Sequence, residues 1–392
     1  MKVICDRGAL LEGINLVSGA VAARTPKPQL QCVKLTATKS AGAGELILSA
    51  TDAEIALRIS LSKVDVQKPG EALVPADKIR QIVSAEDNEP TLTIESEGDA
   101  IHIRGVDAHF KVFGYPAGDF PPIPEFAAVV AGTGGAPQAK AVLSHPAGSL
   151  AGLVARTLFA TARETSRYAI NGVLFKRDGK RLELVATDGR RLALARANLT
   201  GSEKDAKAVQ CIVPGKCLGM FQKLIQDHDE PVQIAITDSQ IYFSFGTAGS
   251  PGRAMLVSNL TEGAFPPYED VIPKEQDKKV VFDRDVMSHA VKRAALLTNE
   301  ESRGVRLAFK GKSKKLELAS RAPEMGEANI TADLATYDGD DIEIGFNPAF
   351  IVDALKVLSE PQVIMELKAP NKPGLIKSGG DFLYVVMPVN LT

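Results

Sequence analysis

The chain has 392 residues, 45% of them hydrophobic and 24% charged, with a formal net charge of −2. That length exceeds one ordinary core and predicts two or three domains. The near-zero charge excludes a globally basic, sequence-reading nucleic-acid binder, but it permits a positive surface confined to one face.

The elements repeat along the chain. A first helix is expected around 6–22, with Leu10, Ile14, Val17 and Val21 on one face. Two alternating strands flank the Ala-Thr-Asp turn at Asp52. Val74-Pro75 then opens a second helix carrying Ile79 and Ile82, and Glu89-Pro90 ends it and starts a strand with Leu92 and Ile94. The order recurs with a helix around 145–162, the turn at Asp188, Val213-Pro214 before Leu218 and Phe221, and Glu230-Pro231. A third copy has a helix around 283–298, an altered turn near Arg321, Phe346-Asn347 before Ile351 and Ala354, and Glu360-Pro361. Phe120-Pro-Pro and Phe265-Pro-Pro close the first two copies. The unit spans roughly 130–140 residues, too long for a solenoid repeat. The expectation is an α+β protein of three domains, 1–135, 136–276 and 277–392, each with two helices on antiparallel sheet. Linkers are expected near 131–140 and 273–279.

The chemistry-bearing residues are sparse. Cys5, Cys32, Cys211 and Cys217 form no CxxC pair, and the five histidines form no ligand cluster, so neither a disulfide framework nor a zinc site is expected. No cofactor and no catalytic group are expected. Asp52 and Asp188 occupy equivalent Asp turns, which favours a structural role over a catalytic one. No apolar run reaches the length of a membrane span, and the first residues lack a secretion-signal core, so a cytoplasmic protein is expected. Outward helix faces carry Arg7, Lys78, Arg80, Arg156, Arg163, Lys216, Lys223, Arg284, Lys292, Arg293 and Lys356. Gathered on one side, they would hold DNA through its phosphates, without base readout.

Several runs carry a resemblance: Ile170-Asn-Gly-Val-Leu-Phe, Ala186-Thr-Asp-Gly-Arg-Arg-Leu192, Phe265-Pro-Pro-Tyr268, Asn299-Glu with Arg303-Gly-Val-Arg-Leu307, and Tyr384-Val-Val-Met-Pro388. In that order, inside a threefold repeat, they resemble the bacterial DNA polymerase III beta subunits, the sliding clamps. The resemblance covers essentially the whole chain. It implies three clamp domains per subunit and a head-to-tail homodimeric ring around duplex DNA. It also implies a pocket for short Gln/Leu/Phe-type motifs of DNA polymerases, the clamp loader and repair proteins. Matched residue by residue, that pocket involves Ile170, Thr187, Gly189, Arg190, Arg191, Leu192, Pro266, Val271, Asn347, Phe350, Val385, Val386, Met387, Pro388 and Val389. The DNA lining would draw on Arg24, Lys78, Arg80, Arg163, Arg167, Tyr168 and Lys216. Ring closure would set His109 and Phe110 against Leu296 and Leu297 of a second copy. Ala169, Arg190 and Asp270 depart from the commonest family pattern and bear on peptide preference. The rival readings are an enzyme, which would turn over a substrate alone, and a repeat scaffold that binds proteins without DNA.

Overall fold

The computed structural model describes residues 1–40, 43–162, 168–199, 208–246, 252–298 and 304–390. They form two compact units. One is built mainly from Met1–Ala151 and Lys216–Leu260, the other mainly from Gly152–Asn198, Val209–Pro214 and Thr261–Thr392. The central repeat therefore contributes to both.

Three helices lie in the first unit: α1 (Arg7–Val17), α2 (Ala76–Ala85) and α3 (Phe126–Ala131). Next, α4 (Ala147–Leu158) starts in the first unit and continues in the second, and α5 (Gly215–Lys223) falls almost wholly in the first. The second unit holds α6 (Arg284–Ala294) and α7 (Pro348–Lys356). Among the described residues no helix is long and apolar enough to cross a membrane.

Local chemistry sets the helix starts. The Asp6 carboxylate accepts the Ala9 amide at 2.8 Å, and Asp283 accepts the amides of Asp285 and Val286. Asn347 caps α7, and Pro348 occupies its first turn, where no amide is needed. Pro75 and Pro214 differ slightly from expectation: they end the preceding strands and stand just before α2 and α5. On α1 the buried stripe is Leu10, Gly13, Ile14 and Val17. A Cβ on Gly13 would come within 2.7 Å of the Leu48 side chain, so glycine lets this helix lie close on its sheet.

Among the described residues all strand pairings are antiparallel. In the first unit an eight-stranded sheet joins the first two repeats where Ala254–Asn259 pairs with Ile55–Leu61. A five-stranded sheet beside it ends in the edge strand His109–Phe113. In the second unit a nine-stranded sheet joins the last two repeats where Arg191–Asn198 pairs with Phe382–Val386. A four-stranded sheet there ends in the edge strand Gly326–Asp333. Both junctions run main-chain hydrogen bonds between repeats, which is why the units cut across the repeat pattern.

The expected linker at 131–140 is partly structured. Helix α3 precedes it, and its Val129 is fully buried with Ala235, Tyr242 and Met255. All four cysteines are buried. Burial pushes the Cys5 and Cys211 thiols up to about 12, which keeps them protonated and unreactive.

His145, 3% exposed, bonds Ser149 through Nε2 at 2.7 Å, and its Nδ1 has no hydrogen-bond partner among the described residues. Burial holds its pKa below the ordinary imidazole value. As pH falls through about 6.5 the unfolded chain takes up this proton before the folded one. Stability present above that pH is therefore lost below it. The denaturant midpoint of a His145→Leu variant should fall less than the parent's between about pH 7.5 and 5.5. Equal falls would remove His145 from the acid sensitivity.

Candidate functional site

The site is built on one hairpin turn. The Asp188 carboxylate accepts the amides of Arg190 and Arg191 at 2.9 and 3.0 Å, while the Thr187 hydroxyl donates to the Arg191 carbonyl at 2.6 Å and accepts the Gly189 amide at 3.1 Å. Asp52 and Thr51 make the same bonds in the first repeat. Gly189 has φ +85°, a left-handed backbone that suits glycine, while Ala53 takes φ +78° in the equivalent place. Both aspartates are thus occupied in holding turns, as their repetition suggested.

Arg191 leaves this turn into a half-buried setting. Its guanidinium bonds Asp188 at 3.0 Å, Asp353 on α7 at 2.8 Å and the Phe159 carbonyl at 2.9 Å, and it lies 4.5 Å from the Phe350 ring centre. Burial works against its charge, but Asp353 and Asp188 outweigh it and raise its pKa. The side chain is a strut between the turn and α7.

Beside the strut is a groove of about 220 Å³, lined by Tyr168, Ile170, Thr187, Gly189, Arg190, Arg191, Leu192, Pro266, Pro267, Tyr268, Val271, Val385 and Met387. That is below the roughly 300–1,000 Å³ of small-molecule pockets and suits a few side chains of a peptide. Under its floor Ala169, Leu174, Val185, Leu194, Ile212 and Leu375 form a continuous apolar cluster. Tyr268 seals one wall. Its hydroxyl donates to Glu183 at 3.3 Å, and burial, then the Glu183 charge, push it up to about 12.

Ten of the fifteen residues matched to the pocket line this groove: Ile170, Thr187, Gly189, Arg190, Arg191, Leu192, Pro266, Val271, Val385 and Met387. Five do not. Asn347 is spent as the cap of α7. Phe350 stacks on Arg191 behind the groove, and its carbonyl accepts the Tyr384 hydroxyl at 2.9 Å. Val386 is fully buried and, by strand alternation, points away from the face of Val385 and Met387. Pro388 and Val389 are half-buried, and the Val389 amide is bonded to the Gly345 carbonyl at 2.9 Å. Matching missed Pro267 and Tyr268, although the Phe-Pro-Pro-Tyr run was its signal. Tyr168, expected in the DNA lining, also lines this groove.

Of the other lining candidates, Arg163 and Arg167 lie outside the described residues. Arg24 and Arg80 are exposed and hold no ion pair among the described residues. Lys78 is exposed beside Asp77 at 3.3 Å. Lys216 is bound to Asp52. Burial pushes the Asp52 carboxyl up, but Lys216 and the amides of Ile55 and Glu54 outweigh it and hold it below the usual range. Arg7, Arg156 and Arg284 are likewise engaged, with the Val83 carbonyl, Asp381, and Asp285 with the Leu358 carbonyl. Lys223, Lys292, Arg293 and Lys356 are exposed without an ion pair among the described residues. Glu86, Glu89 and Asp107 bring three carboxylates within 4.8 Å of one another, but Glu89 already accepts the Val106 amide and nothing further marks a metal site.

Each unit also has an open sheet edge with apolar side chains. On His109–Phe113, His109 is exposed and Phe110 half-buried, and the most exposed ring is Phe113, at 73%. In the second unit Leu296 is 73% exposed and Leu297 half-buried, in a turn that packs beside Gly326–Asp333.

Three family models cover the chain in order: the DNA polymerase III beta subunit N-terminal domain over residues 1–124, its central domain over 146–267 and its C-terminal domain over 269–390. A beta sliding clamp of Pseudomonas putida is 32% identical and one of Escherichia coli K12 is 30% identical, each over the full length of both chains. The crystal structure of a Pseudomonas aeruginosa sliding clamp bound to griselimycin superposes with a TM-score of 0.88 at 32% identity. A Bacillus subtilis clamp does so with a TM-score of 0.87 at 26% identity, and both structures cover all of either chain. Three successive clamp domains and full-length relatives place this chain in the DNA polymerase III beta subunit family, the bacterial sliding clamps.

Proposed function

We propose that two copies of this chain close head to tail into a ring around duplex DNA and tether replication enzymes to it. In this reading the chain is a non-catalytic processivity factor of the bacterial cytoplasm, with clamp domains at 1–135, 136–276 and 277–392. DNA polymerases, the clamp loader and repair proteins dock by short motifs in the groove beside Arg191. The observation that carries the reading is that groove: an apolar floor and walls, a preformed turn offering polar groups at its rim, and ten residues matched to the family's peptide pocket. Ring closure would pair the edge strand His109–Phe113 of one copy with Gly326–Asp333 of the other, the heterologous contact that a closed ring requires.

DNA would be held through its phosphates alone. Arg24, Arg80 and Lys223 are exposed cations with no ion pair among the described residues, so they are better candidates than Lys216. Replacing all three with alanine should weaken duplex association equally for all sequences. The slope of log affinity against log salt should drop by about 0.9 for each phosphate that is no longer neutralised. A loss that depends on base sequence contradicts phosphate-only holding, an unchanged slope removes these three residues from the DNA lining, and no duplex association by the parent protein favours a scaffold that binds only proteins.

A further inference from the structure

The groove's charges say which peptides it prefers. Among the described residues, five charged side chains line the groove or directly adjoin a lining residue in the chain: Asp188, Arg190, Arg191, Glu269 and Asp270. Three are neutralised. Arg191 is paired with Asp188 at 3.0 Å and with Asp353 at 2.8 Å, and Glu269 is paired with Lys176 at 3.0 Å. Arg190 and Asp270 remain, both exposed and without an ion pair among the described residues. Asp270 sits in the short helical turn Tyr268–Val271, whose first and last residues both line the groove. Its Cα is therefore about 3.8 Å from that of Val271, which keeps its exposed carboxylate within about 8 Å, one Debye length, of the groove lining.

We propose that Asp270 is a specificity-determining residue of this groove, selecting peptides that carry a basic side chain beside their apolar anchors. The proposal rests on the peptide-groove reading. A bound peptide fills the groove with Leu- and Phe-type side chains, so its flanking residues come to lie at the mouth. A lysine or arginine there meets Asp270, and an aspartate or glutamate there meets a like charge. The Lys176–Glu269 pair already cancels the neighbouring acid, so Asp270 acts without a competing cation on its own turn. Arg190 carries the opposite charge on the hairpin turn that lines the same groove and acts in the opposite sense, which makes it an internal control.

The test uses the full-length protein and two fluorescent peptides with the same Gln/Leu/Phe-type core, one flanked on both sides by lysine and one by aspartate. The readout is the dissociation constant of the aspartate-flanked peptide divided by that of the lysine-flanked one. Exposed charge pairs of this kind change affinity by about twofold to fivefold. Asp270→Asn should lower the ratio by that factor and Arg190→Gln should raise it. Both shifts should vanish near 1 M salt, where the Debye length is about 3 Å. A ratio that Asp270→Asn leaves unchanged overturns the proposal while leaving the groove reading intact. Failure of the parent protein to bind either peptide overturns the groove reading itself, and the proposal with it.

Discussion

Deleting residues 387–392 is expected to abolish useful peptide capture while leaving the dimer whole. Met387 forms part of the groove wall and is 41% exposed in the free protein, so a peptide side chain can bury against it. Its amide bonds the Arg190 carbonyl at 2.9 Å, which ties the end of the last strand to the hairpin turn. Removing that wall leaves a Leu or Phe anchor, worth roughly 1.5–3 kcal/mol, without its cover, a weakening of about tenfold to hundredfold. The open edges at His109–Phe113 and Gly326–Asp333 are not touched by the deletion. The Gly345 carbonyl loses the Val389 amide, so the second unit should also lose about 1 kcal/mol of stability. Met387→Ala keeps the main-chain bonds and isolates the wall, with an expected loss of about fivefold to tenfold. Polarisation with a Gln/Leu/Phe-type peptide, beside light scattering for mass, checks both variants. Unchanged affinity would place the docking site elsewhere, and loss of the dimer with the affinity would make the terminal segment chiefly structural.

The second large effect is expected at ring closure. Leu296 is 73% exposed, and Phe113 is exposed to the same extent on the edge strand of the other unit. Large apolar side chains beside an unpaired strand edge are the features a partner covers. A head-to-tail dimer contains this interface twice, so Leu296→Ala with Leu297→Ala removes four leucine side chains from the assembly. Leu297 is already half-buried within its own subunit and contributes less. Even at about 1.5 kcal/mol for each Leu296 and less for each Leu297, dissociation should become easier by about a thousandfold. Phe113→Ala should act in the same direction. Sedimentation of dilute protein reads the shift to monomer, and an undisturbed dimer in both variants would move the interface away from these edges.

Much of the fold was legible because its signals are local. The amphipathic stripes placed all six repeat helices, the Asp turns marked equivalent hairpins, and Asn347 announced the start of α7. The groove was legible where matched residues alternate on one strand face, as Val385 and Met387 do. It failed where matching could not tell which way a side chain points: Val386 turns into the core, and Phe350 and Asn347 serve α7 and Arg191. Charge partners far apart in the chain were out of reach. Nothing local says that Lys216 will be bound to Asp52, or that Arg191 will bridge Asp188 and Asp353. The exposure of Phe113 follows from its strand lying at the end of the sheet, a property of strand order and not of the five residues themselves. Helix α3 escaped notice because its neighbourhood is rich in alanine and glycine, and only its packing shows that Val129 is an anchor.

Topology is the most direct test of the central claim. The protein is loaded by a clamp loader onto a nicked circular plasmid, separated from free protein by gel filtration, and the plasmid is then cut once. A ring that encircles DNA stays with the circle through moderate salt and slides off when the plasmid is made linear. Retention on linear and circular DNA alike, or on neither, would contradict encirclement and leave a protein that binds the surface of DNA or does not bind it at all.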